Sequence, residues 1–357
     1  MQKLKVAVLY GGKSTEHEVS VHSAQTVCRT LAAKKDRYEV YFILIDRAGK
    51  WFLQNACREK AEQDVPVTPV IAPDYNLQTL DGSVRMKVDV FFPVLHGTNG
   101  EDGTVQGLFE SLDAAYVGCG VLASAMGMDK EITKLVAREN GVNVLDYKKI
   151  AKGVPYDREE LEAWAKKAGF PVFVKPVSLG SSVGVTKVKT PEELHKAVDF
   201  SLQFDEYVMA EKGVDNAREI FCALLGDGQA VLSSACGELK TLKSEFFDYD
   251  AKYLIEGGCE TRVPADIPPA MQAEMRKQSE IVFKNLRGCG LARADFLLGP
   301  DGKFYFSEIN TLPGMSESSL FPQLFEASGV SYAHALDNLV ELAVKRREAR
   351  RNLLLHR

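Results

Sequence analysis

Apolar residues in this chain come in short bursts separated by polar turns. Residues 4–10 (LKVAVLY) read as a strand closed by Gly11-Gly12, a helical period follows over 20–34, and a second strand covers 40–45. That β-loop-α-β order predicts an open α/β sheet. The run 89–95 (DVFFPVL) adds a buried strand, and Pro93 within it points to a sheet edge or a strand end. Helical patterns at 129–139 and 158–168 flank a strand at 144–150, and FPVFVKPVSLGSSVGVTKV holds two short strands about a glycine- and serine-rich loop. A helix over 191–204 opens with Pro191 after Thr190, a favourable first-turn and N-cap pair. Further strands are expected at 206–211, 218–225, 230–235, 291–298 and 303–309, with helices at 268–287, 319–328 and 332–351. The expected division is an α/β unit over 1–122 and two α+β units over 123–209 and 210–357.

The stretch GLARADFLLGPDGKFYFSEINTLPG gathers two carboxylates, an amide and an arginine. Read as two strands about a turn at Gly299-Pro300-Asp301-Gly302, strict alternation puts Arg293 and Asp295 on one face and Phe304, Phe306, Glu308 and Asn310 on another. With Leu298 paired to Lys303 these faces coincide: Arg293 stands opposite Glu308, and Asp295 lies diagonal to it. A lone Asp and Glu on a hairpin usually form a weak surface ion pair. Here they sit on strands rich in Phe, Leu and Tyr, where an unpaired charge is costly to bury. Oxygen ligands of this kind suit Mg2+, which completes its shell with water and substrate phosphates. The hairpin therefore points to nucleotide chemistry.

In the middle segment, Lys175-Pro176-Val177-Ser178-Leu179-Gly180-Ser181-Ser182-Val183-Gly184 offers N–H groups and hydroxyls that can lie over phosphates. It lacks the GKS or GKT ending of a P-loop, and alone such a hairpin is more often a flexible turn. Lys175 raises its weight, because one positive charge about 4 Å from a phosphate contributes roughly 4 kcal/mol at an effective dielectric near 20. Glu211-Lys212 closes an apolar strand. Adenine can take edge hydrogen bonds from such a strand end, with Glu219 on the ribose; a charged strand end reaching solvent is an equal alternative. The loops His96-Gly97-Thr98-Asn99-Gly100-Glu101-Asp102-Gly103 and Gly12-Lys13-Ser14-Thr15-Glu16 both follow strands of the first unit. Open α/β sheets place ligand crevices at such carboxyl ends. A helix N-terminus favours an anionic group and Glu16 an ammonium, so together they fit an amino acid zwitterion.

At 357 residues the chain can hold two or three domains, and no apolar run reaches the length of a membrane span. MQKLKVAVLYGG has too short an apolar core for a signal peptide, so a cytoplasmic setting is expected. A net charge of −5 gives no broad attraction to nucleic acid or acidic lipid, and any polyanion must be held locally. The seven cysteines, at 28, 57, 119, 222, 236, 259 and 289, include no CxxC pair. They predict neither a zinc site nor a disulfide framework and read as small core residues.

GGKSTEHEVS, HGTNGEDGTVQG, KPVSLGSSVG, DYDAKY and RADFLLGPDGKFYFSEINTLPG occur in the order and spacing of the D-alanine:D-alanine ligases of the ATP-grasp superfamily. The resemblance covers nearly the whole chain. It implies an open α/β N-terminal domain followed by two α+β domains that clamp ATP, in a cytoplasmic homodimer with neither nucleic acid nor membrane as partner. The implied reaction joins two D-alanines through a D-alanyl phosphate, for peptidoglycan precursor synthesis. By the same resemblance Lys134, Lys175 and Lys212 serve the nucleotide phosphates and base, Glu219 the ribose, and Ser182, Glu211 and Val214 also meet ATP. Asp295, Glu308 and Asn310 would carry two Mg2+ ions, for which Mn2+ can substitute. Glu16 and His96 would hold the first D-alanine, Glu16 bonding into a network with Ser181 and Tyr253. Lys252 and Ser319, beside Leu320, would bind the carboxylate of the second, and Arg293 with the Gly314 amide would stabilise the oxyanion. Ligases that take D-lactate or D-serine as acceptor share the nucleotide and metal residues; Lys252-Tyr253 argues for D-alanine. A catalytically silent nucleotide-binding module is a further alternative, and the presence of Arg293, Glu308 and Asn310 argues against it.

Overall fold

The computed structural model describes residues 3–61, 63–241 and 259–353, with the side chains of Lys240, Thr241 and Cys259 left aside. Its first unit is built on β1 (Leu4–Gly11), α1 (His17–Ala32) and β2 (Tyr38–Ile45). β1 is buried on both faces, Val6, Val8 and Tyr10 entering one core and Ala7 and Leu9 another. That explains its unbroken apolar run. β3 (Trp51–Gln54), β4 (Val65–Pro69), β5 (Leu77–Thr79), β6 (Arg85–Met86), β7 (Val90–Val94) and β8 (Ala115–Tyr116) complete the sheet in the order β6-β5-β4-β3-β2-β1-β7-β8. β1 runs parallel to β2 and β7, which brings the loops after β1 and β7 to the same end. β8 pairs only with Val90 and Phe91, so Pro93 has a strand neighbour on one side alone, as its missing N–H requires.

α2 (Thr104–Ser111), α3 (Val121–Met128) and α4 (Lys130–Glu139) lead to a second sheet. There β9 (Tyr147–Ala151), β10 (Val172–Pro176), β11 (Thr186–Val188) and β12 (Tyr207–Lys212) pair antiparallel in the order β11-β10-β12-β9. Val172, Val174, Val208 and Ala210 pack on Leu161 and Ala165 of α5 (Arg158–Ala168) and on Leu194 and Val198 of α6 (Pro191–Ser201). Period-two alternation then turns Phe173 and Lys175 to the opposite face.

The third sheet contains β13 (Arg218–Gly226), β14 (Val231–Thr241), β15 (Cys259–Arg262), β16 (Gly290–Leu298) and β17 (Phe304–Asn310), ordered β15-β14-β13-β16-β17. One face packs Ile220, Ala294 and Phe296 on Val282 and Phe283 of α7 (Pro269–Asn285). The other sends Phe221, Ala223 and Leu291 into the core of the first sheet. Phe321 and Leu324 of α8 (Leu320–Glu326) and Leu336, Leu339 and Val340 of α9 (Tyr332–Arg351) share that core. α3 and α4 lie against β17. Among the described residues no helix is long and apolar enough to cross a membrane. The six cysteines whose side chains are described are free thiols, and all but Cys57 are buried.

The first and third sheets meet where Gly118 abuts Gly290. Gly290 has φ +81°, and a Cβ there would lie 2.9 Å from the Gly118 N and Cα atoms. Both the left-handed backbone and the contact exclude a side chain. We expect Gly290→Ala to lower the unfolding free energy by about 2–4 kcal/mol. Urea denaturation checks this, and a loss well under 1 kcal/mol would show that the crossing is slack.

Candidate functional site

β16 and β17 pair Leu298 with Phe304 and Phe296 with Phe306, then slip so that Asp295 faces Glu308 and Arg293 faces Asn310. Two features correct the expected register. The turn is a shorter loop over 300–302, with Gly299 N–H donating to Lys303 O at 2.8 Å and Gly302 at φ +77°. A bulge at Ser307 then adds a residue to β17. As a result Phe304 and Phe306 pack on Phe296 in the core. Glu308 and Asn310 emerge on the opposite face with Asp295 and Arg293, so the expectation that all four β17 residues share one face fails at the bulge.

The charges on this face are mutually engaged. Arg293 donates from Nε and Nη2 to the two Asp295 oxygens, each at 2.7 Å, and its guanidinium lies 5.2 Å from the Phe221 ring centroid. Lys130 Nζ is 3.0 Å from Glu308 Oε2 and donates to Leu179 O of the serine loop at 2.7 Å. Lys130 is the first residue of α4, fixed there by Asp129, whose side chain accepts from Ile132 N–H. Sequence reasoning missed it and chose Lys134, one turn later. Lys134 is wholly buried beneath the site, its Nζ 2.7 Å from Glu211 Oε1, while Lys175 Nζ is 2.6 Å from Glu211 Oε2. Burial pushes the Lys134 pKa down to about 8, with Glu211 resisting. Burial also raises the Glu211 carboxyl, but Lys134 and Lys175 outweigh it and the net shift is downward.

A cavity of about 590 Å³ opens between the second and third sheets. It brings together Lys130, Lys175, Ser181, Ser182, Glu211, Lys212, Val214, Glu219, Arg293, Asp295, Glu308, Gly314, Ser319 and Leu320. Phe173 and Leu297 add apolar wall; the only sequence signal for Phe173 was its place opposite the buried valines of β10. Lys134, His96, Glu16 and Asn310 are not on this wall. Glu16 nevertheless reaches the serine loop, accepting a 2.6 Å hydrogen bond from Ser181 Oγ, with Ser181 and Ser182 at φ +52° and +59°. His96 is buried: Nδ1 donates to Leu312 O at 2.9 Å and Nε2 accepts from Ser23 Oγ at 3.2 Å. Burial depresses its pKa, and the neutral ring ties the loop after β7 to the segment after β17. Asn310 Oδ1 accepts from Leu312 N–H at 3.1 Å. Glu317 pairs with Arg29 on the surface. Lys252 and Tyr253 lie outside the described residues.

Among the described residues no three His, Cys, Asp or Glu side chains cluster as a metal site. A cation here would rest on Asp295 and Glu308, with the Asn310 amide two residues further along β17, opposite Arg293. This all-oxygen set of two carboxylates and an amide fits Mg2+ bound mainly through phosphates and water.

Family models match most of the chain: residues 5–119 fit "D-ala D-ala ligase N-terminus" and 136–341 fit "D-ala D-ala ligase C-terminus". A D-alanine–D-alanine ligase of Thermoanaerobacter sp. is 42% identical over 360 residues, covering 97% of this chain and 98% of the relative. The D-alanine–D-alanine ligase A of Escherichia coli is 38% identical over 362 residues, covering 98% of each. Among solved structures, the Coxiella burnetii D-alanine-D-alanine ligase matches with TM-score 0.85 at 33% identity, over 98% of this chain and 97% of that one. The VanG D-Ala:D-Ser ligase of Enterococcus faecalis matches with TM-score 0.84 at 32% identity, over 96% and 100%.

The buried lysine makes a prediction of definite sign. Below about pH 8 Lys134 is charged in both folded and unfolded states; between there and its ordinary value of 10.5 only the unfolded chain keeps the proton. Stability therefore rises with pH in that window. Relative to Lys134→Met, the wild-type protein is expected to gain unfolding free energy from about pH 8 upward, as measured by urea titration. A flat or falling difference would contradict the shift.

Proposed function

The chain belongs to the D-alanine–D-alanine ligase family, and we propose that it converts two D-alanines and ATP to D-alanyl-D-alanine, ADP and phosphate, supplying a peptidoglycan precursor. The observation that carries this reading is the Glu16–Ser181 bond. It sets an ammonium-binding carboxylate from the first unit against a serine loop that lines the same cavity as Arg293, Asp295 and Glu308.

In the first step a D-alanine carboxylate oxygen attacks the γ-phosphorus of ATP, the bond to the bridging oxygen breaks, and ADP leaves. In the second, the amine of another D-alanine, having lost its proton, attacks the acyl carbon. The carbon–oxygen bond breaks and phosphate departs. No protein nucleophile is required, so catalysis rests on positioning and charge neutralisation. Phe173, Leu297 and the strand end at Glu211 to Val214 suit the adenine, and Glu219 the ribose. Lys130 and Lys175 offset phosphate charge; Lys134 acts through Glu211. Glu16 takes the first ammonium, with His96 holding the loop beside it. Ser319, with Lys252, receives the acceptor carboxylate. Arg293 and the Gly314 N–H are suitable fixed donors for the oxyanion of the tetrahedral intermediate. Asp295, Glu308 and Asn310 would hold Mg2+ or Mn2+, which when bound neutralises phosphate oxygens. The reading places this work in a cytoplasmic homodimer with domains at 1–122, 123–209 and 210–357.

A phosphate-release assay with ATP, Mg2+ and D-alanine tests the reading, run beside L-alanine and mixtures of D-alanine with D-lactate or D-serine. D-Alanine alone should suffice, and the dipeptide should dominate the products. Silence with D-alanine but turnover on adding D-serine would move the chain to the acceptor class of VanG.

Two substitutions separate the roles. Glu308→Gln is expected to cut turnover about a hundredfold or more in a protein that still folds. Lys130→Met should raise the KM for ATP about tenfold and that for D-alanine little, where KM tracks binding. Equal effects on both substrates would remove Lys130 from the phosphates.

A further inference from the structure

A second cavity, of about 360 Å³, lies where the β13–β14 turn, the segment after α7 and the C-terminal half of α9 converge. It shares no lining residue with the larger cavity. Four of its residues are cations, Lys284, Arg287, Lys345 and Arg346, and Asp227 is its one carboxylate. In a chain of net charge −5 such a concentration is unexpected.

Among the described residues two of the four cations, Arg287 and Arg346, meet no carboxylate. Asp227 serves its own turn, accepting from Gln229 and Ala230 N–H at 3.0 and 2.9 Å, and meets Lys345 Nζ at 3.0 Å. Arg346 spends its donors on neutral carbonyls, those of Tyr116, at 2.8 Å, and Gly118, and stacks 4.0 Å from the Tyr116 ring centroid. Among the described residues Lys284 has one ion pair, 3.7 Å from Glu280. Among the described residues the Arg287 guanidinium has no hydrogen bond or ion pair, and its backbone sits at φ +59°, an uncommon conformation for a side chain of this size. The end of α7 alone favours cations at Lys284 and Arg287. It does not explain Lys345 and Arg346, which come from another helix and close the same concavity. Leu342 and Ala349 of α9 give it an aliphatic side.

We propose that this cavity binds a small molecule carrying a phosphate or pyrophosphate group, held by Arg287, Lys284, Lys345 and Arg346. Its volume lies in the range of small-ligand sites, about 300–1,000 Å³. A multiply charged anion engages such a cluster more strongly than a single chloride does.

The test is calorimetric titration of the intact protein, its larger cavity saturated with a non-hydrolysable ATP analogue, using inorganic pyrophosphate and, separately, phenyl phosphate. One saturable site is expected, weakened by salt; tighter binding of phenyl phosphate would identify an organic phosphate, and of pyrophosphate an inorganic one. Arg287→Glu and Lys284→Glu should each weaken it about tenfold or more. Lys277→Glu, an exposed change elsewhere on α7, should not. If a charge reversal fails to fold, Arg287→Gln replaces it, with a loss of about threefold or more expected. No saturable heat up to about 10 mM ligand, or binding indifferent to the variants, would overturn the proposal.

Discussion

One buried carboxylate, Glu211, ties together the elements that wall the larger cavity. Its two oxygens meet Lys134 from α4 and Lys175 from β10, and Lys134 also reaches the carbonyl of Phe306 in β17 at 3.4 Å. A single ionised group thus links the second sheet to a helix packed on the third. Buried pairs of this kind contribute little net stability against an apolar replacement, yet removing one partner costs about 3–5 kcal/mol because a charge is left unpaired. What the arrangement secures is geometry: Lys175 and Glu211 cannot shift independently, so the cleft keeps one shape.

Around that anchor the cavity is a set of opposed charges held close. Arg293 rests on Asp295 and Lys130 on Glu308. In the proposed reaction a polyanion entering the cavity would compete for these cations and free Asp295 and Glu308 for a divalent ion. A net acidic protein can hold ATP in this way because the attraction is local and little screened inside a cleft.

Much of this was legible from the chain, and the failures have physical causes. Alternation within β16 placed Arg293 with Asp295 on the working face, whereas Phe173, on the same face of β10 as Lys175, was not picked out. The bulge at Ser307 escaped because one extra residue leaves no mark in a period-two pattern, yet it alone moves Glu308 off the Phe306 face. Lys130 and Lys134 stand four apart on α4, and a helical period puts both on one side without giving their depth; only tertiary packing sinks Lys134 under Glu211. The Glu16–Ser181 contact spans 165 positions and was expected only from family resemblance. β3 to β6, β8, α2 and α3 were missed because two to eight residues carry too few repeats to define a period.

In the proposed reaction a carboxylate oxygen of the first D-alanine becomes bonded to phosphorus. Incubating the protein with ATP, Mg2+ and D-alanine labelled with oxygen-18 in its carboxylate, then weighing the released phosphate by mass spectrometry, tests that step directly. Each phosphate formed with dipeptide is expected to carry one oxygen from the labelled carboxylate. Unlabelled phosphate released in step with dipeptide would contradict it.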